Sequence, residues 1–290
     1  MKYIDREGNI TIEESGQDKL LYKMYNSSIG RTVLKFLIKP GVSKAVGWFL
    51  NQKCSKIFIN PFIRNNNIDM GLYEEKEYAS YNEFFCRQIK KEHRPIVMDE
   101  DAFISPCDGK LSIYPVEEGC HFKIKNTDYT LESLLRSKRI AKKYQGGHVC
   151  VFRLTVDDYH RFCYVDNGRK SQNHLIPGVF HTVNPAANDV CPIYKENTRE
   201  YSLLKSEHFK TILMMEVGAL LVGRIVNYHE DGYVTKGGEK GRFEFGGSTV
   251  VLILQKNAVE LDQNILENTK NGYETIVKMG EQIGKKKKQE

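Results

Sequence analysis

Apolar and polar positions alternate differently along the two ends of this chain. Residues 1–16 read as a short strand-like segment, with Gly8-Asn9 as a turn. Residues 17–66 have a helical pattern, in which Leu34, Phe36, Leu37 and Ile38, then Val46, Trp48, Phe49 and Leu50, are interspersed with lysines. Pro40-Gly41 is expected to break that stretch into two pieces. Ser80 to Glu83 has the form of a capping box, predicting a helix through Phe84, Phe85 and Ile89 towards Lys90-Lys91. A further short helix is expected over 131–139.

From about Phe103 the pattern changes. Segments 149–154, 211–217, 219–226, 235–245 and 249–255 are rich in β-branched and aromatic residues and punctuated by glycine, as strands are. There is no internal repeat and no βαβ alternation. The expectation is an α+β protein, with N-terminal amphipathic helices at 1–70 followed by a compact β-rich catalytic core at 71–290.

Composition sharpens the picture. The 290 residues suffice for a sizeable core, and ordinary hydrophobic content without low-complexity tracts describes a globular protein. The polar, acidic start does not read as a signal peptide, and no apolar run approaches the ~20 residues of a membrane-spanning helix. Seven scattered cysteines, never spaced CxxC, argue for reduced thiols and against a disulfide framework or structural zinc; no metal is expected. Net charge is 43 − 37 = +6, but its placement matters more. Not one acidic residue lies between Asp18 and Asp69, while nine lysines and arginines do, and Lys285–Lys288 form a second basic run. Such a basic amphipathic stretch fits either an anionic bilayer surface or helices packed on the protein's own core with solvated lysines.

Three segments carry candidate chemistry. Gly246-Gly247-Ser248-Thr249 follows one strand-like segment and opens another. Most such strings are plain turns, yet a serine hydroxyl aimed at the carbonyl of Gly247 is able to exchange amide for ester. A base must take the hydroxyl proton and donors must stabilise the oxyanion. Ser105-Pro-Cys-Asp108-Gly is a second turn-like segment, and His160 ends the third, Leu154-Thr-Val-Asp-Asp-Tyr-His. The order Asp108, His160, Ser248 is compatible with a charge-relay triad, which geometry defines rather than position.

Taken in order, YNEFFCRQIKKEHRPI (81–96), SPCDGKL, FKIKNTDYTLESLL, DDYHRFCYVDNG, HTVNPAA (181–187), MMEVGALLVGRI and FGGSTVVLILQ resemble the phosphatidylserine decarboxylase family over nearly the whole chain, most closely its clostridia-like bacterial branch. The resemblance implies self-cleavage between Gly247 and Ser248 into a β chain (1–247) and an α chain (248–290) that remain together. Ser248 would become a covalent pyruvoyl group, which forms a Schiff base with the substrate amine and yields phosphatidylethanolamine and CO2. Asp108 and His160 match the relay positions. Many relatives carry a second histidine three residues on, where this chain has Cys163; His160 then serves both roles, or another histidine such as His181 contributes. The substrate implies a peripheral enzyme on the cytoplasmic side of the cell membrane, which favours the membrane reading of the basic helices. Competing expectations are a pyruvoyl decarboxylase of a soluble amino acid and a non-catalytic biotinyl/lipoyl-like β module. Nucleic-acid binding is disfavoured, because recognised modules and interleaved stacking aromatics are missing.

Overall fold

The computed structural model describes residues 2–12, 27, 30, 32–33, 38–124, 127–182, 193–219, 224–245 and 248–287. Among them, eleven strands share one sheet. Its middle consists of Thr211–Val217, Ser248–Leu254, His148–Leu154 and Gly109–Pro115, side by side in that order and all antiparallel. These strands read as nearly unbroken apolar runs because both faces are covered. Phe152, Val250, Leu252 and Met214 pack into one core, and Val151, Val251, Ile253 and Met215 into the other.

The first core lies under two small sheets. One joins Arg224–Asn227, Glu239–Glu244 and Arg161–Cys163; the other joins Val259–Leu261, Gln282–Lys286 and Ala102–Ile104. The second core is capped by the hairpin His121–Ile124/Thr127–Thr130 and the helices Leu131–Leu135 and Lys138–Ala141. The α+β architecture therefore stands as expected. Within the 1–70 region, Lys2–Ile4 pairs with Glu274–Val277 and with Ile10–Ile12, so the first residues form strands, as the pattern over 1–16 predicts, and belong to the large sheet.

Helical expectations hold in position more than in length. Residues 13–26, 28–29, 31 and 34–37, which include Leu34, Phe36 and Leu37, lie outside the described residues. Pro40 occupies the first turn of the helix Pro40–Leu50, where its missing N–H costs no intrahelical bond. A second helix, Ile59–Asn65, follows a 3-10 turn. Both pack through Leu50 and Phe62 against Tyr81, Phe84 and Phe85. Ser80 caps the helix Tyr81–Phe85 by accepting from the Glu83 N–H at 3.2 Å, but the helix ends well before Ile89. Ile89 instead forms a β-bridge with Tyr73. The helix expected over 131–139 is split because Arg136 is left-handed, with φ 52°. Of the strand expected over 219–226, residues 220–223 lie outside the described residues, and Arg224–Asn227 is a strand.

Candidate active site

Register brings the three candidate segments to one end of the central sheet. Ser248 pairs with Leu154, and Arg153 lies opposite both Thr249 and Lys110. The strand beginning at Gly109, the strand ending at Leu154 and the strand beginning at Ser248 therefore terminate together. Asp108 precedes the first of these by one residue, and lies two strands from Ser248, roughly 10 Å across the sheet. The turn at Asp108 needs glycine next to it. Gly109 has φ +155°, and a β-carbon there would meet the Arg153 carbonyl at 3.0 Å.

Ser248 is fully buried, and its Oγ has no hydrogen-bond partner among the described residues. Leaving a hydroxyl so costs about 1–3 kcal/mol, a state that Ser43 and Ser202 share; what sets Ser248 apart is its place at the strand end. Alternation along the strand puts Ser248 on the same face as Val250, beneath the small sheet that starts at Arg161. Gly246 and Gly247 lie outside the described residues.

His160 immediately precedes that small sheet. After Leu154 the chain is turned back by Asp158, whose carboxylate accepts from the Thr155 N–H at 2.7 Å and pairs with Lys110 at 2.7 Å. The imidazole is buried against Phe85, with ring centres 4.3 Å apart, and Phe85 in turn contacts Phe245 just before the glycines. Nδ1 lies 2.9 Å from the Asp158 carbonyl oxygen. A carbonyl only accepts, so Nδ1 carries the proton and Nε2 keeps its lone pair. Nε2 has no partner among the described residues. Burial lowers the imidazole pKa to about 4, which keeps the ring neutral and able to take a proton.

The relay expected between Asp108 and His160 is not made by direct contact. The buried Asp108 carboxylate is bound by both arms of Arg94, with Nε at 2.8 Å, and accepts from the Met279 N–H at 2.9 Å. Lys278 stands 3.8 Å away. The backbone carbonyl of Asp158, not this carboxylate, orients the imidazole. Asp108 and His160 are nevertheless braced together through Cys163, whose N–H donates to the Pro106 carbonyl at 2.8 Å. Burial pushes the Cys163 thiol up to about 12, so it holds its proton and cannot stand in for an imidazole base.

His181 is buried at the neighbouring strand end. Asn197 accepts from its N–H at 2.8 Å and donates to its carbonyl and to that of Gly218, which follows Val217, the partner of Thr249. Its Nε2 faces Glu196 at 3.3 Å. Residues 183–187 of the same segment lie outside the described residues.

Sequence reading passed over one buried pair. Glu216 lies opposite Val250 and is therefore a diagonal neighbour of Ser248 on the same face, roughly 7–8 Å away across the backbone. It meets Lys240 from the small sheet at 2.8 Å, both side chains fully buried, and Asn227 bridges them. The signal was present: a carboxylate inside the apolar run Thr211–Val217 must find a cation.

Similarity to known proteins follows the same segments. A family model described as phosphatidylserine decarboxylase matches residues 81–285. Phosphatidylserine decarboxylase proenzyme 2 of Clostridium acetobutylicum is 43% identical over 272 residues, covering 93% of this chain and 92% of that protein. The phosphatidylserine decarboxylase proenzyme of Clostridium botulinum strain Langeland is 41% identical, covering 99% and 100% of the two chains. That of Desulfitobacterium hafniense strain Y51 is 38% identical over 98% of each.

Proposed function

The chain belongs to the phosphatidylserine decarboxylase family, and from that premise we propose that it cuts itself before Ser248 and decarboxylates phosphatidylserine with the pyruvoyl group so made. It is a carboxy-lyase produced as a proenzyme. The observation that carries the reading is the buried Ser248 hydroxyl, without a partner among the described residues, at the strand end that the Asp108 turn and the segment leading to His160 also reach.

In the first stage the Ser248 Oγ attacks the Gly247 carbonyl and its proton passes to a base, for which the open Nε2 of His160 is suited. The amide becomes an ester. Removal of the Ser248 α-proton expels the Gly247 carboxylate, leaving dehydroalanine; water then yields the pyruvoyl group and ammonia. Asp108, locked by Arg94, fixes the turn at the same end of the sheet, two strands away. Glu216 and Lys240 supply a fixed dipole on the same sheet face.

The pyruvoyl group supplies the electron sink that accepts the pair released with CO2. In this reading His160 returns a proton at the substrate α-carbon. After the cut, the α chain stays bound. Ser248–Leu254 lies between two β-chain strands, and its five aliphatic side chains contribute on the order of 10 kcal/mol of burial, an upper estimate.

The substrate lies in a bilayer, and the helices Pro40–Leu50 and Ile59–Asn65 with the turn between them supply a docking face. Trp48 (68% exposed), Ile57 (71%), Phe49 and Phe58 point to solvent in the acid-free stretch. No helix among the described residues is long and apolar enough to cross a membrane. Peripheral attachment to the cytoplasmic face of the cell membrane is the arrangement these features support.

Intact mass of the purified protein tests the reading. A fragment starting at position 248, blocked to stepwise degradation and reactive with borohydride, is expected, together with release of CO2 from phosphatidylserine. A fragment with a free N-terminal serine would sink the pyruvoyl chemistry.

A further inference from the structure

A cavity of about 310 Å³ lies beside the Ser248 strand end, where Asn51, Asn82, Arg87, Arg161, Arg242 and Glu244 meet. It sits between the C-terminus of the helix carrying Trp48 and the strand that leads towards Ser248. Three cations on its wall have carboxylates: Lys76 pairs with Glu83, Arg161 with Glu239 at 2.7 Å, and Arg242 with Glu244 at 3.6 Å. Arg87 has none among the described residues, although it is only 3% exposed.

The Arg87 guanidinium is held in place before any ligand arrives. Its central carbon lies 4.4 Å from the Tyr73 ring centre and 5.0 Å from that of Phe84. Nη2 donates to the Tyr73 hydroxyl at 3.2 Å, while Nε and Nη1 have no partner among the described residues. Arginine does not shed its proton, so this is a buried positive charge with two unused donors. Ring faces offset only part of what such burial costs. An anion would offset the rest. At the rim, Arg242 adds an Nε that also has no partner among the described residues.

We propose that this cavity is a binding site for a phosphate oxyanion, with Arg87 as its buried anchor and Arg242 at its mouth. The phosphate comes either from the lipid headgroup or as the free ion. The headgroup source rests on the decarboxylase reading; the phosphate site does not. Position favours the headgroup. Asn82 accepts from the Phe245 N–H at 3.0 Å, and Phe245 precedes Ser248 by three residues, at most roughly 11 Å of chain. Chemistry favours phosphate over the substrate carboxylate. A cation fixed on the carboxylate would resist its departure as neutral CO2, whereas the phosphodiester keeps its charge throughout.

The test uses the full chain, with inorganic phosphate as probe and chloride at matched ionic strength as control. Phosphate is expected to raise the melting temperature of the wild type by a few degrees, and that shift is expected to vanish in Arg87→Met and shrink in Arg87→Lys. With a short-chain phosphatidylserine, Arg87→Met should raise KM roughly tenfold or more with kcat changed far less, as for loss of a charge-assisted hydrogen bond. Competitive inhibition by phosphate identifies the headgroup as occupant; binding without competition identifies the free ion. A phosphate shift absent from the wild type, or equal in the wild type and both Arg87 variants, overturns the site. If Arg87→Met does not fold, Arg242→Gln must weaken the shift and raise KM, and no change in either overturns it. A wild type that binds phosphate through Arg87 but releases no CO2 leaves the site standing and removes the reaction assigned above.

Discussion

The Ser248 strand end and the N-terminal helical face break opposite rules of protein interiors and surfaces. At the strand end, Ser248 Oγ and His160 Nε2 are buried without partners among the described residues. On the helical face, Trp48, Phe49, Ile57 and Phe58 are apolar and exposed. Ordinary folding favours neither, since buried polar atoms are normally paired and large apolar side chains normally covered. Each violation suits one task. Proton transfer at a backbone bond needs a dry place with fixed, unsatisfied groups; capture of a substrate held in a bilayer needs apolar surface that water does not favour. The cavity around Arg87 lies between the two, which is where a headgroup would sit if the acyl chains stayed at the helices.

The comparison breaks most completely at Ser248. Ser248→Ala should leave one uncut chain of 33.5 kDa, with no decarboxylation, while vesicle binding persists. Gel mobility and intact mass read the first, and cosedimentation the second. A cut Ser248→Ala chain would move the cleavage bond elsewhere. Next in size is His160→Gln, which removes the open Nε2. Self-cutting should slow by roughly 10²–10⁴-fold, the usual worth of a general base. If His160→Gln matures at the normal rate and His181→Gln does not, the base is the other histidine.

How far the sequence disclosed these regions depends on whether the cause is local. His148–Leu154, Thr211–Val217 and Ser248–Leu254 were legible because a strand covered on both faces must be apolar throughout. The start of the helix at Tyr81 was legible in the Ser80 cap, but its end was not. Ile89 is taken by a bridge to Tyr73, sixteen positions back, and no local pattern announces that. Ser248, Asp108 and His160 were singled out by residue type and then by the ordered resemblance, and the fold gathers their segments at one end of the sheet. Their wiring was not legible. Asp108 meets Arg94, and His160 is oriented by a backbone carbonyl, which every residue possesses. Arg87 lies within the 81–96 segment, yet that no carboxylate among the described residues pairs with it is a three-dimensional fact.

Smaller effects should follow at the helical face. Replacing Trp48 and Ile57 with serine removes apolar area that inserts at the interface, and each should weaken binding to anionic vesicles roughly tenfold, for about 1.4 kcal/mol apiece. Turnover of phosphatidylserine in vesicles should fall with binding, and turnover of a monomeric short-chain substrate should fall less. Equal losses on both substrates would show that these residues pack against the site and do not dock on lipid. High salt should weaken vesicle binding of the wild type too, because the lysines of the acid-free stretch act through screened charge.

The mildest test sharpens the claim that the strand end is dry. An exposed histidine titrates near 6.5, whereas burial holds His160 near 4. If Nε2 is the base, self-cutting of freshly refolded proenzyme should be nearly flat from pH 8 down to about 5 and lose rate only towards pH 4. A midpoint near 6.5 would mean that the ring is reached by water. Stability should move over the same window with a definite sign. The unfolded chain binds a proton at His160 before the folded chain does, so the folded state loses stability as pH falls from about 6.5 to about 4. Above about 6.5 both states are neutral there and this contribution is flat. His160→Gln should remove that part of the pH dependence of the melting temperature, even though it also removes the base. The two readouts separate the ring's burial from its chemistry: a stability slope that persists in His160→Gln belongs to other groups, whatever happens to cutting.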